Sequence, residues 1–409
     1  MSIRPYPALT VNEKAARALR AGHPWVYGAE TTGPDVPYEN GDIVDVFSQK
    51  GRWLGAGICN DHSKIRVRIL SRNTNDTFDE AFWRRRIQYA LSYRKTVMGS
   101  DFSCCRLIFG EADSFPGLTV DLFEDILVTE VLSLGMERRK SLLYALLVTC
   151  LREEYGISVR ALCERNESPL RDKEGLPQES GFFSLPGLST DLDGHVTITE
   201  NGITYDVDYL HGQKTGFFLD QKYNRRAAAA LAPGKRVLDC FTHTGAFALN
   251  CAQAGAAQVT AVDISKDAVA LTQANVARNG WSDRVEVLQA NVFDLLTDLA
   301  NKKSHPYDYI ILDPPAFTKS GATVKNAYRG YKEINWKAMK LLPRGGYLAT
   351  CSCSHFMTAP LFCQMLREAA ADANVSLRQI ADRRQAPDHP ILWGVPETEY
   401  LKFYLFQIV

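Results

Sequence analysis

Asp239, Asp263, Asp313 and Cys353 have the types and spacing to do chemistry. Asp239 closes the apolar run Val237-Leu238, and Asp263 closes Gln258 to Val262, about twenty residues further on. Asp313 follows Tyr309 to Leu312, and Cys353 lies just beyond the run Gly345 to Cys351. Side chains at the carboxyl ends of such strands project into the crevice where open α/β sheets bind ligands. Acids there favour cationic and hydrogen-bond-donating ligands. A thiol beside a polar turn and a helix N-terminus can ionise easily and act as a nucleophile.

The turn after Asp239 reads Cys240-Phe241-Thr242-His243-Thr244-Gly245. It lacks the G-x-G-x-x-G pattern that lets backbone approach a pyrophosphate, and it begins with an acid that repels phosphate. Asp239 instead suits a cationic group such as the amino group of S-adenosylmethionine, and Asp263 suits a ribose diol. The rigid turn Asp313-Pro314-Pro315 frees carbonyls to accept from the exocyclic amine of a nucleobase. Phe317 could stack on that base, a contact worth roughly 1–3 kcal/mol. Asp239 and Asp313 each have a plainer alternative, a helix-capping acid in a structural turn. Most cysteines are inert small hydrophobes, which is the reading for Cys59, Cys150, Cys240, Cys251 and Cys363. For Cys353 both readings stay open, with His355 a candidate partner.

Strand and helix alternate from about residue 190 to Leu377 and the chain closes in a β-rich run, Glu399 to Val409. This spacing predicts a mostly parallel sheet with helices on both faces and an antiparallel edge at the end. Gly245 opens an alanine-rich helix, and a hairpin over Val196 to Tyr209 precedes the domain. The first 72 residues form a β-rich module. In it, Lys64, Arg66 and Arg68 alternate with apolar residues and share one strand face, a candidate phosphate contact. Residues 73–190 read as a mixed unit, with a helix over Phe82 to Val97 carrying Arg84, Arg85 and Arg86, and a loop over Glu167 to Ser180.

Composition sets bounds. The chain has 409 residues, 45% hydrophobic and 23% charged, with zero formal net charge, so several domains are expected and binding of nucleic acid over the whole surface is disfavoured. No apolar run approaches the roughly 20 residues that span a bilayer. No signal-peptide core opens the sequence, which makes the cytoplasm the expected compartment. Ten irregularly spaced cysteines without C-x-x-C pairs imply no metal.

Taken in order, these motifs resemble class I S-adenosylmethionine-dependent RNA methyltransferases. More narrowly, they resemble the ribosomal large-subunit methyltransferase I family of 5-methylcytosine enzymes. The resemblance spans essentially the whole chain. It is carried by Gly22-His23-Pro24-Trp25-Val26-Tyr27, Thr215 to Gln221, Asp239-Cys240-Phe241, Thr244 to Phe247, Asp313-Pro314-Pro315, Ser352-Cys353-Ser354 and Asp388-His389-Pro390. It implies a PUA-like RNA-binding domain over 1–72, a small α/β central domain over 73–190 and a Rossmann-like methyltransferase domain with a seven-stranded sheet over 191–409.

The implied cofactor is S-adenosyl-L-methionine, held by Phe218, Asp220, Gln221, Asp239, Phe241, Thr242, Thr244, Gly245, Asp263, Ile264, Asn291, Val292 and Asp313. Asn291 stands where the family usually has Asp against the adenine amine, and its carbonyl can still accept. Many 5-methylcytosine enzymes carry a cysteine after the Pro-Pro turn. Here Ala316 and Phe317 follow it, leaving Cys353 as nucleophile with Asp313 beside the base. The implied substrate is large-subunit ribosomal RNA, bound through Pro314, Phe317, Lys64, Arg66 and Arg68.

Two other functions remain open at this point. One is amino-methylation of a purine with Cys353 a bystander; the other is RNA binding without turnover. A homodimer through the middle unit is compatible with the sequence, which carries no signature for it.

Overall fold

The computed structural model describes residues 4–32, 37–302, 306–318 and 320–409. The chain forms two compact units: Met1–Val196 with Val207–Phe217 and Pro387–Thr398, and Thr197–Asp206 with Phe218–Ala386 and Glu399–Val409.

In the first unit, short alternating strands build a six-stranded sheet. In spatial order they are Trp25–Tyr27, Ile65–Ser71, Trp53–Cys59, Ile43–Ser48, Ala8–Val11 and Thr31–Thr32. The helix Glu13–Arg20 packs Ala15, Ala16 and Leu19 against Val26, Val44, Val46 and Val67 in a small core. Asn12 caps it by accepting from the Ala15 amide. Gly57 is required where these strands cross closely, because a Cβ would lie 2.2 Å from the Arg68 carbonyl oxygen.

A second, five-stranded sheet runs Glu179–Phe182, Ala161–Asn166, Ile126–Val131, Leu118–Phe123 and Cys104–Phe109. Helices Glu80–Met98 and Lys140–Tyr155 accompany it. The strand Glu179–Phe182 begins inside the tract expected to be loop. Its four residues pair antiparallel with Cys163 to Asn166 at the sheet edge, and with Glu179 and Ser180 exposed and none buried the segment carries no apolar signature.

The second unit is built on seven strands: β1 (Arg236–Cys240), β2 (Gln258–Asp263), β3 (Val285–Gln289), β4 (Tyr309–Leu312), β5 (Tyr347–Ser352), β6 (Leu377–Arg383) and β7 (Lys402–Ile408). Their order is β3-β2-β1-β4-β5-β7-β6. The continuous burial of Val237, Leu238, Tyr309, Ile310, Ile311 and Leu312 is what a parallel strand covered on both faces requires. β7 is antiparallel to both neighbours, and it lies between β5 and β6 rather than at the edge that the sequence led us to expect. Helices 324–341 and 359–373 cover one face around Tyr331, Ile334, Phe362 and Met365. The chain leaves β1 for β2 on one side and later returns to β4 on the other. That reversal opens a crevice beyond the ends of β1 and β4.

Candidate active site

Register brings the predicted residues to one rim. Cys240, the last residue of β1, pairs with Leu312, the last of β4, and Leu312 pairs with Thr350 of β5. Asp239 therefore stands beside the switch point. Asp313 follows β4 at the same level, Asp263 ends β2, and Cys353 immediately follows β5.

Asp239 is fully buried. Its Oδ2 accepts from the Thr242 hydroxyl at 2.6 Å and the Ala248 amide at 3.0 Å, while Oδ1 has no partner among the described residues. Burial pushes its carboxyl up to about 7, and the carboxylates of Asp313 and Asp263 add to the rise. A desolvated acid with one oxygen to spare fits an ammonium donor. The turn beyond it is sharp: Phe241 and His243 adopt φ of +65° and +54°, and Gly245 adopts +79°. Non-glycine residues in this region carry strain of order 1–3 kcal/mol, a cost that clusters at ligand-binding turns.

Asp263 holds that turn from β2. Its Oδ2 accepts from the His243 amide at 3.0 Å, and Oδ1 accepts from Ser265 at 2.9 Å. Thr244 is buried, and Asn275 donates to its carbonyl at 3.1 Å. Ile264 is 64% exposed, an apolar surface beside the acid. Asn291 caps the helix Val292–Asn301, its Oδ1 accepting from the Phe293 amide at 2.9 Å, and Val292 is buried behind it.

A second cluster supports Asp313. Gln221 donates to its Oδ1 at 3.1 Å and accepts from Asn224 at 2.7 Å. Burial, with the nearby Asp220 carboxylate, pushes the Asp313 carboxyl up to about 6. Asp220 accepts from the Tyr400 hydroxyl at 2.6 Å. Arg225, paired with buried Glu200 at 2.6 Å, also donates to the Phe218 carbonyl at 2.6 Å, and the Phe218 ring meets His243 edge-on.

Pro314 is buried and Pro315 exposed. Phe317 packs on Tyr331, with ring centroids 4.5 Å apart, and leans on Phe293. Its ring is thus largely engaged by aromatic neighbours rather than presented alone.

Eight of the ten cysteines are buried; Cys353 and Cys363 are partly exposed. Burial pushes the thiols of Cys240, Cys251 and Cys351 well above the usual range. Cys353 sits on a pinned turn. Ser352 donates to the Tyr331 hydroxyl at 3.1 Å, Ser354 donates to the Thr318 carbonyl at 2.8 Å, and Lys402 donates to the Ser354 carbonyl at 2.6 Å. Tyr400 and Lys402 are participants the sequence reading missed; only a tyrosine two residues before a lysine that opens the last strand pointed to them.

In the other unit, the phosphate-facing expectation changes. Arg68 forms an ion pair with Glu174 at 2.7 Å, and Arg66 pairs with Asp61 at 2.9 Å and contacts Tyr38. Both guanidiniums are therefore taken up by protein partners, whereas Lys64 is exposed. Asp388 accepts from the Arg106 amide at 2.9 Å and from neighbouring His389, a structural tie. No metal-ligand cluster is present among the described residues, and no described helix is long and apolar enough to cross a membrane.

Comparison with known proteins agrees with this geometry. Residues 186–407 match the S-adenosylmethionine-dependent methyltransferase family, and residues 9–72 match a PUA-like domain. The ribosomal RNA large subunit methyltransferase I of Alteromonas mediterranea is 38% identical over 94% of this chain and 95% of its own. The protein of that name from Escherichia coli O139:H28 is 34% identical over the full length of both. A structure described as a candidate S-adenosylmethionine-dependent methyltransferase of Streptococcus mutans superposes with a TM-score of 0.80 at 22% identity, covering 98% of this chain and 100% of its own. The acidic crevice with its spare Asp239 oxygen fits the cationic S-adenosylmethionine that this family uses. The chain belongs to the S-adenosylmethionine-dependent methyltransferases, and among them to the ribosomal RNA large subunit methyltransferase I family.

Proposed function

We propose that this protein methylates large-subunit ribosomal RNA at C5 of a cytosine, through a covalent adduct of Cys353 with C6. The reading of the substrate rests on the names of its full-length relatives. The reading of the chemistry rests on one observation: Cys353 is the partly exposed thiol at the carboxyl end of a central strand, on a turn anchored from both sides.

C5 of cytosine is a weak nucleophile. Addition of the Cys353 thiolate at C6 moves the C5–C6 electron pair onto C5 and the ring, and the proton needed at N3 comes from Asp313. The raised carboxyl of Asp313, about 6, suits a group that carries that proton near neutral pH. S-adenosylmethionine, when bound, supplies the electrophilic methyl group. Once C5 carries the methyl, a base removes the C5 proton, the C5–C6 double bond re-forms as the C6–S bond breaks to release the thiolate, and the N3 proton returns to Asp313. The base must leave its stack to reach such a site.

On this reading Asp239 takes the cofactor's amino group, Asp263 its ribose and Asn291 its adenine. Phe218, Asp220, Gln221, Phe241, Thr242, Thr244, Gly245, Ile264 and Val292 complete the shell. Residues 1–72 serve as the RNA-binding domain, 73–190 as the central domain and 191–409 as the catalytic domain, working in the cytoplasm. The test is transfer of labelled methyl from S-adenosylmethionine to ribosomal RNA from cells lacking the protein, followed by nucleoside analysis. Label in 5-methylcytosine that disappears with Cys353→Ala supports the reading. Label that survives Cys353→Ala, or lies in a methylated purine, replaces it with amino-methylation.

A further inference from the structure

The first unit holds a basic pocket, built from residues other than those of the acid crevice. It has a volume of about 620 Å³ and is lined by Arg72, Arg85, Arg86, Asp76 and Tyr89 among others. Its charges are unequally committed. Asp76 is consumed: Arg85 pairs with it at 2.9 Å, and Ser71 donates to it at 2.5 Å. Arg72 and Arg86 each give one Nη donor to a backbone carbonyl, of His23 and Leu70, and neither forms an ion pair among the described residues. Two guanidiniums thus share one cavity with most of their donors unspent. Burial pulls both below their ordinary value; Arg72 has no carboxylate acting on it, and Arg86 feels only Asp76, whose carboxylate is already paired with Arg85. A ligand with several anionic oxygens relieves that cost.

The aromatic surroundings narrow the ligand. Tyr89, three residues beyond Arg86 on the same helix, is 63% exposed. A smaller adjoining cavity of about 140 Å³ shares Ser71, Arg72 and Arg86 and is also lined by Leu392, and the next residue, Trp393, is 96% exposed. Exposed aromatic rings near a basic cavity, Tyr89 in its lining and Trp393 one residue from Leu392, are the kind of surface that splayed bases stack on. Duplex RNA is read mainly by shape and its 2′-hydroxyls.

We propose that Arg72 and Arg86 grip the phosphodiester backbone of an unpaired RNA segment whose bases stack on Tyr89 and Trp393. The proposal rests on the reading that this protein acts on RNA. It moves the RNA contact from the Arg66–Arg68 face to this pocket.

The test measures binding of the full chain to a single-stranded oligoribonucleotide and to a duplex of equal length, over a salt series. Arg72→Gln/Arg86→Gln is expected to flatten the log–log salt slope by roughly 1.4, two phosphates at about 0.7 each. Trp393→Ala and Tyr89→Ala, at exposed positions that do not threaten folding, are each expected to weaken single-strand binding by about tenfold and to leave cofactor binding intact. Arg66→Gln is expected to leave the slope unchanged. Unaltered slope and affinity in all three pocket variants, a preference for duplex, or equal binding of free uridine monophosphate would overturn the proposal. Methyl transfer to ribosomal RNA by the unmodified chain, measured in parallel, reports separately on the parent reading.

Discussion

Lys402 donates from a buried ammonium to the carbonyl oxygens of Ser354 and Tyr400, each at 2.6 Å. The pairing of Ser352 with Lys402 across β5 and β7 sets this contact, so an antiparallel strand anchors the turn that carries Cys353. Burial pulls the ammonium down to about 8 while the nearby Cys353 pulls it up. Lys402→Met should leave both carbonyls without this donor and cost about 2–3 kcal/mol of stability, read by denaturant unfolding. Methyl transfer should fall about tenfold or more, because small displacements of a reacting group are costly. Cofactor affinity should stay unchanged, and Lys402→Arg should recover part of the loss.

On the proposed reading, in which Asp239 takes the cofactor's amino group, cofactor binding should be sensitive to pH. With its carboxyl raised to about 7, it is protonated below that pH and must ionise to face an ammonium. S-adenosylmethionine affinity, measured by calorimetry, should rise with pH up to about 7 and level off above it. Stability without cofactor should run the other way. The unfolded Asp ionises near 4, so between about 4 and 7 the folded state holds the extra proton and stability declines as pH rises. Asp239→Asn should remove the rise in affinity and the part of the stability decline between about 6 and 7, leaving the part below about 6 that the raised Asp313 carboxyl also contributes, and weaken cofactor binding by roughly ten- to a hundredfold.

Gly245 admits no side chain. At φ +79° a Cβ would lie 2.7 Å from Thr272 Cγ2. Gly245→Ala should destabilise the protein by about 2–4 kcal/mol, from the left-handed backbone and the clash together. Thr272→Ser deletes that methyl but keeps the hydroxyl that donates to the His243 carbonyl at 2.9 Å. The double variant should therefore recover the steric part and none of the backbone part, a coupling that a double-mutant cycle measures.

Arg225 supports the Phe218 turn from inside the fold, through its bond to that carbonyl and its ion pair with Glu200. Arg225→Met should cost about 3–5 kcal/mol, since it removes the cation from a buried carboxylate. Glu200→Gln with Arg225→Met should cost less than Arg225→Met alone. Thermal unfolding of the two variants checks the order.

The strand ends were legible because apolar runs stop at Asp239, Asp263 and Asp313, and a covered parallel strand allows no other pattern. The partners of those ends were not. Tyr400 reaches Asp220 across 180 residues, through the insertion of β7 that hydropathy does not encode. Arg66 and Arg68 alternate as a solvent-facing row would, yet Glu174, more than 100 residues on, neutralises Arg68. Phe317 sits beside a polar turn in sequence and against Tyr331 in space. In each case local periodicity fixed the element, and a distant side chain fixed what the residue does.

β7 lies between β5 and β6 but follows both in the chain. During synthesis, β5 and β6 emerge with nothing to bridge them, and each presents an open edge to the crowded neighbourhood of the ribosome. The acids at the ends of β1, β2 and β4 are therefore made before the strand whose lysine clasps the Cys353 turn. On the proposed reading, translation stalled before residue 402 would yield an adhesive fragment that carries the acids assigned to the cofactor and lacks the clasp on its thiol.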